Sequence, residues 1–273
     1  MHPWQAIVLG LVEGVTEYLP ISSTGHLILT QRLLGIENDE ASRAFAICIQ
    51  SGAILAVFSL YWPRVRQMLA GLVGKSAEGR RLLLLLVVAF VPAAIAGLLL
   101  EKTIDRVLFG LWPVAIAWLA GGIAILVVRR LRDGRREGTR LEDLSFAVAL
   151  AIGVCQCLAL APGTSRSFAT IGGALLLGVS SSAAVEFSLL LGVITLLAAT
   201  GHKALHSGTV MLHEFGAINV ALGFLTAFVA AFLAVKWLVA WLRSHGLAVF
   251  GTYRIALALV VIVLLASHVL PND

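Results

Sequence analysis

Nine apolar stretches divide this chain, at 3–12, 44–62, 82–100, 111–128, 144–161, 168–179, 183–200, 216–242 and 248–270. Several reach about 18 residues or more, enough to cross ~30 Å of hydrocarbon at ~1.5 Å per residue. Charged residues make up 13% of the 273-residue chain and hydrophobic ones 59%. A soluble domain carries about 25% charge, so too little polar skin is left to cover a water-facing globule. The expected class is an all-α polytopic membrane protein.

The short stretches come in two pairs. Residues 3–19 end at Pro20 and are followed by a brief apolar run at 24–35; residues 144–161 end at Pro162 and are followed by 168–179. The joining connectors are PISSTG (20–25) and PGTSRS (162–167). A shift of about 142 residues lays Pro20 on Pro162, Ser22 on Thr164, Ser23 on Ser165 and Phe45 on Phe187. Short, Pro/Gly-interrupted segments in matching places of two halves point to a site where the halves meet. Each half reads as a broken hairpin plus three spans. An odd span count inverts the second half, so the expected architecture is an inverted repeat of six transmembrane helices plus two re-entrant helical hairpins. The expected organisation is a single membrane domain over 1–273, with halves at about 1–130 and 144–270 and a basic loop at 129–143. Irregular backbone at membrane depth is tolerated only inside protein or beside a water-filled cavity, so both connectors should face inward.

Lys and Arg set the orientation. The segment 63–81 carries Arg64, Arg66, Lys75, Arg80 and Arg81, and 129–143 carries Arg129, Arg130, Arg132, Arg135, Arg136 and Arg140. Two spans separate these loops, so they share a side, which the positive-inside rule makes cytoplasmic. Both termini then lie outside. The basic loops read as topology and contact with anionic lipid rather than as a nucleic-acid patch. The N-terminal stretch has neither a basic leader nor a small-residue cleavage site and is not expected to be a removable signal. Cys48, Cys155 and Cys157 fit neither a disulfide scaffold nor a zinc site.

The connectors concentrate the chemistry. Glu13 and Glu17 are i,i+4 and share a helix face. Each charge at membrane depth costs ~3 kcal/mol unless compensated, by a divalent cation, a water-filled cavity or Arg166 from the other connector. Ser22, Ser23, Thr24 and Gly25 follow Pro20, where helix-start N–H groups and hydroxyls suit an anion; capping alone accounts for one hydroxyl and leaves the others unused. His26 can move a proton near neutral pH. Gly163, Thr164, Ser165, Arg166 and Ser167 form the second connector, whose planar guanidinium matches phosphate oxygens. Arg166 also suits a structural pairing with Glu13 or Glu17. Tyr18 is placed in a groove for a lipid tail, and Arg254 and Glu186 read as structural charges. Carboxylates, a hydroxyl nucleophile, an imidazole and an Arg–Ser cradle inside lipid describe a site for a phosphate ester with a hydrophobic tail. The rival reading is a transporter or flippase of a polyprenyl phosphate lipid, which needs no nucleophile-plus-base set.

EGVTEYLPISSTGHL (13–27) and PGTSRS (162–167) resemble the two signatures of the undecaprenyl-diphosphate phosphatase family, the bacitracin-resistance type. RAFAICIQSGAILAV (43–57) and EFSLLLGV (186–193) resemble further segments of that family in order and spacing. The resemblance implies removal of the terminal phosphate of undecaprenyl diphosphate at the outer side of a bacterial inner membrane. It also implies a divalent cation, Mg2+ or Ca2+, and re-entrant helices in an inverted repeat. On that reading Glu13 and Glu17 hold the cation, and Gly163, Thr164, Ser165, Arg166, Ser22 and Thr24 bind substrate. Ser23 attacks with Glu17 or His26 as base, or water attacks directly. The oligomeric state is left open, a homodimer included. Three positions depart from the family pattern: Phe168 for a glycine, Ala46 for a commonly acidic residue, and Ile194 for a frequent proline. Phe168, nearest the connector, is expected to narrow the site.

Overall fold

The computed structural model describes residues 1–37, 39–108, 110–132 and 138–270. Among these the chain is helical throughout, with α1 Pro3–Thr16, α2 Ser23–Leu33, α3 Glu40–Leu60, α4 Trp62–Leu72, α5 Ala77–Val107, α6 Leu111–Leu131, α7 Phe146–Gln156, α8 Arg166–Leu176, α9 Ser181–Leu242 and α10 Ala248–Ala266. Short 3-10 turns at Leu141–Asp143 and Cys157–Leu160 precede α7 and follow it. Arg135 and Arg136, used above for orientation, lie outside the described residues.

Six helices are long and apolar enough to cross a membrane: Ala41–Leu60, Ala77–Leu100, Leu111–Leu131, Ser181–Gly201, His213–Leu242 and Ala248–Ala266. They match the six expected spans. The fourth and fifth both lie within α9, which is interrupted at Gly216, where φ is 74°. The four short helices α1, α2, α7 and α8 have 14, 11, 11 and 11 residues. At 1.5 Å per residue none reaches across hydrocarbon. The side chains of Leu98, Leu99, Ile116, Val229, Leu233 and Val263 are more than half exposed. Such a belt suits lipid and would be costly in water.

The segment 63–81 is not a loop, as its charges suggested. Val65 and Met68, three apart, bury against α5, so α4 is an amphipathic helix with Arg64 and Arg66 off its apolar face. The two basic segments do share a side. Arg64 Nη2 donates to Glu142 Oε1 at 3.0 Å and its Nε to Glu186 Oε1 at 2.6 Å. Arg81 donates to the backbone carbonyls of Glu142 and Leu144 at 2.5 and 2.6 Å. Glu186 is thus an ion-pair partner at the basic end, as expected.

Both connectors pass through a left-handed serine. Ser22 has φ 73° and ψ 100°, Ser165 φ 73° and ψ 112°. A non-glycine residue there costs of order 1–3 kcal/mol and persists only where its surroundings dictate it. Arg254 is the main such surrounding. It is fully buried on α10 and donates to five carbonyls: Nε to Trp118 at 3.3 Å, Nη1 to Pro20 at 3.3 Å and Thr164 at 2.9 Å, and Nη2 to Ala117 and Gly163 at 2.8 Å each. A side chain at Gly121 of α6 would overlap this guanidinium. The Trp118 indole N–H adds a bond to the Ile21 carbonyl at 3.0 Å.

Arg254→Met, which keeps the stem and deletes all five donors, should therefore lower stability in detergent, since each buried acceptor left unsatisfied costs about 1–3 kcal/mol. An unchanged thermal midpoint would show that the carbonyls find other partners. At the basic end, bonding to its own backbone N–H and then to Arg64 holds the Glu142 carboxyl below its ordinary value. A depressed folded-state pKa stabilises above the unfolded value of ~4.3 and the gain is lost as pH falls below it. The difference in thermal midpoint between wild type and Glu142→Gln should thus shrink on acidification below about pH 4.5; since the pair is largely exposed, it should stay within about 1 kcal/mol at neutral pH.

Candidate active site

The two helix breaks meet at a cavity of about 480 Å3, a volume suited to a small-molecule headgroup. One wall is reactive: Glu17, Ser22, Ser23, Thr24, Gly163, Ser165 and Arg166. The rest of the lining is mostly apolar, with Phe90, Ala93, Ala94, Gly97 and Leu98 of α5, Ala159–Pro162, and Leu196, Ala198 and Ala199 of α9. Gln50, Gln156 and Thr195 complete the polar lining.

Glu17 is the hub. It directly follows α1, with its backbone N–H bonded to the Glu13 carbonyl, and is 7% exposed. Its Oε2 accepts a short hydrogen bond from Ser23 Oγ, and its Oε1 accepts from Arg166 Nη2 at 3.2 Å. Thus the guanidinium of the second connector, the carboxylate and the hydroxyl of the first form one chain of contacts across the junction. Arg166 is further fixed by Nη1 donating to the Ser188 carbonyl at 3.0 Å and by the Tyr18 ring, 5.1 Å from its Cζ. A Cβ on Gly192 of α9 would overlap the same guanidinium. Ser167 Oγ donates to the Glu17 carbonyl at 3.3 Å, tying the connectors once more.

Ser23 and Arg166 each open an 11-residue helix directly after a left-handed serine. The structural correspondence at this point is therefore 143 residues rather than 142, because the second connector carries one more residue between its proline and its left-handed serine. Ser23 matches Arg166, and Ser22 matches Ser165. At the second helix start Ser165 Oγ accepts from the Phe168 N–H at 3.2 Å. Such termini favour an anion.

The remaining expected residues lie behind this wall. Thr164 does not line the cavity with its side chain; its carbonyl accepts from Arg254. Glu13 is 1% exposed, faces Glu17, and leaves Oε1 without a partner. His26 also stands outside the lining. Its Nδ1 donates to the Ser22 carbonyl at 2.6 Å, which fixes the tautomer, so Nε2 accepts from the Tyr253 hydroxyl at 2.8 Å. Both ring nitrogens are occupied, and the hydroxyl of Ser23 is turned to Glu17 instead. Tyr18 is fully buried beneath Arg166 rather than in a tail groove. Phe168 does not line the cavity either, since its ring packs 5.7 Å from Arg254 Cζ.

A cation site can be tested on the carboxylates themselves. Among the described residues no group of three or more His, Cys, Asp or Glu converges. Two carboxylates one helical turn apart, one with an unpartnered buried oxygen, nonetheless suit a hard cation that completes its shell with substrate and water oxygens.

The family model described as bacitracin resistance protein BacA matches residues 6–260. The chain is 47% identical over 260 residues to undecaprenyl-diphosphatase 1 of Chromobacterium violaceum, covering 95% of each chain. It is 45% identical to the undecaprenyl-diphosphatase of Nitrosospira multiformis, covering 95% of this chain and 93% of that one. It is 46% identical to the corresponding protein of Methylococcus capsulatus, covering 94% and 93%. With the match spanning nearly its whole length, the chain belongs to the bacitracin resistance protein BacA family.

Proposed function

We propose that this protein hydrolyses undecaprenyl diphosphate to undecaprenyl phosphate and inorganic phosphate, and so recycles a cell-wall carrier lipid. The observation that carries the reading is the Arg166–Glu17–Ser23 chain on the wall of a cavity whose lining is otherwise mostly apolar. The named activity of the relatives supports it. A flippase of the same lipid would have no use for a serine hydroxyl aimed at a buried carboxylate.

In this mechanism Arg166 and the helix-start N–H groups bind the terminal phosphate. Ser23 Oγ forms a bond to its phosphorus as the bridging P–O bond breaks, and the lipid monophosphate leaves. Glu17 takes the Ser23 proton, since the hydrogen bond that would carry it is already made. Glu17 passes that proton to the departing lipid monophosphate and is again ionised; it then takes a proton from water, which displaces Ser23 Oγ from phosphorus as the proton returns to Oγ and inorganic phosphate leaves. His26, held between the Ser22 carbonyl and Tyr253, positions the left-handed turn rather than acting as base. Glu13 and Glu17 would hold the divalent cation, Mg2+ or Ca2+, which supplies positive charge to phosphate oxygens when bound.

The reading extends to orientation and organisation. The cavity reaches Leu98 and Ile104, whereas the basic end of α5 lies at Arg80 and Arg81. At 1.5 Å per residue the stretch from Arg81 to Leu98 runs about 25 Å along the helix. The reach of the lining away from the Arg/Lys-rich segments supports a site open to the opposite side, which is outside the cell under the positive-inside rule. Two inverted halves with re-entrant hairpins account for the matching left-handed serines and equal-length helices at the connectors.

Purified protein given a polyprenyl diphosphate should release phosphate, and Glu17→Gln and Ser23→Ala should each lower kcat at least a hundredfold. Full turnover by Ser23→Ala would overturn the covalent route, and none by the wild type would overturn the assignment. Gly192→Ala should lower kcat/KM at least tenfold by displacing Arg166; wild-type kinetics would show that the guanidinium need not sit where it does.

A further inference from the structure

Gln156 is an unexplained polar group in the cavity wall. It ends α7, is 2% exposed, and its Nε2 has no hydrogen-bond partner. A buried amide left unpaired costs about 1–3 kcal/mol, so a native one calls for a reason. Its other end is held: Thr195 Oγ1 lies 3.3 Å from Oε1. The Thr195 hydroxyl also reaches the Leu191 carbonyl at 2.9 Å. When it gives its one proton to Gln156 the carbonyl end is fixed, and the two amide N–H donors stay unpartnered. Gln50 repeats the arrangement, with Thr200 Oγ1 3.4 Å from its Oε1. Gln50, Gln156 and Thr195 all line the same cavity as Arg166 and Ser23.

Place and charge identify the ligand. Gln156 lies one turn beyond Gly153, which packs against the backbone of Ala89 on α5. It therefore borders the apolar wall of Phe90, Ala93 and Ala94. An amphiphilic diphosphate whose outer phosphate meets Arg166 presents its inner, lipid-bearing phosphate to that border. The inner phosphate is an acceptor only, and neutral amide donors can bond it without adding fixed charge in a low-dielectric site.

We infer that Gln156, oriented by Thr195 and assisted by Gln50, forms the subsite for the phosphate that remains on the lipid. The inference rests on the diphosphatase reading above. It makes Gln156 a determinant of affinity for the lipid monophosphate product as well as for the substrate.

The test compares wild type, Gln156→Leu and Thr195→Val in detergent. Thr195→Val keeps shape and frees the amide, which serves if the leucine variant folds poorly. Inhibition of diphosphate hydrolysis by a polyprenyl monophosphate and by inorganic phosphate is measured for each. Gln156→Leu should raise the inhibition constant for the lipid monophosphate about tenfold and leave that for inorganic phosphate within twofold, with a smaller shift of the same pattern in Thr195→Val. An unchanged constant for the lipid monophosphate overturns the inference, as does a rise for inorganic phosphate alone. Direct binding of the polyprenyl monophosphate to the same three proteins needs no turnover. It reads the subsite even where wild-type protein releases no phosphate, so loss of the diphosphatase reading and loss of the subsite are distinguished.

Discussion

One guanidinium that meets backbone carbonyls rather than a carboxylate organises this protein. Two chain breaks between short helices leave buried carbonyls in need of donors, and each one left unsatisfied would cost several kcal/mol. Arg254 collects carbonyls from both breaks, at Pro20, Gly163 and Thr164, and from α6 at Ala117 and Trp118. A planar fork with five donors is the one side chain able to do this at a single point. The two connectors are thereby fixed relative to one another, and with them Ser23 relative to Arg166.

The geometry of the candidate site follows from that anchor. With the prolines and carbonyls held, Ser22 and Ser165 are forced into the left-handed region, and the next residue in each case becomes the first of a helix. One helix start carries a hydroxyl and the other a guanidinium, and Glu17 lies between them touching both. Glycines on neighbouring spans complete the fit: Gly121 gives space to Arg254 and Gly192 to Arg166. Both bulky cations enter the packed interior only because a span omits a side chain opposite them.

Much of this was legible in the chain because it depends on residue type. The six spans follow from apolar length, the breaks from Pro20 and Pro162, and the grouping of Glu17, Ser23 and Arg166 from the cost of charge in lipid. What escaped depends on partners without sequence identity. Arg254 reads as an ordinary structural charge, since its partners are carbonyls, which every residue carries. The one-residue offset between connectors is invisible while prolines are aligned, because the extra residue falls after Pro162. Glu17 and His26 are equally plausible bases in sequence, and only the direction of the Ser23 hydroxyl separates them. The amphipathic α4 was masked by its arginines, although Val65 and Met68 carry the helical spacing. Gln50 and Gln156 were single polar letters in apolar runs, with nothing in their spacing to tell a cavity wall from a packed core.

The distribution of charge around the cavity bears on turnover. The proposed cleavage adds a negative charge to the lipid-bearing phosphate just as the bridging bond breaks. A cation placed on that side would bind the product more tightly than the substrate and hold it, since the attraction grows with the charge and is weakly screened among apolar walls. Arg166 instead shares the Glu17 carboxylate with Ser23, where the proposed scheme seats the outer phosphate, whose charge does not rise in the transfer. Amides on the lipid side bond the inner phosphate in substrate and product without that bias. In the proposed scheme, a guanidinium at one end and neutral donors at the other hold the outer phosphate without tightening the grip on the lipid product. This asymmetry lets a hydrophobic product, already in contact with the apolar wall of α5, leave sideways into the membrane it came from.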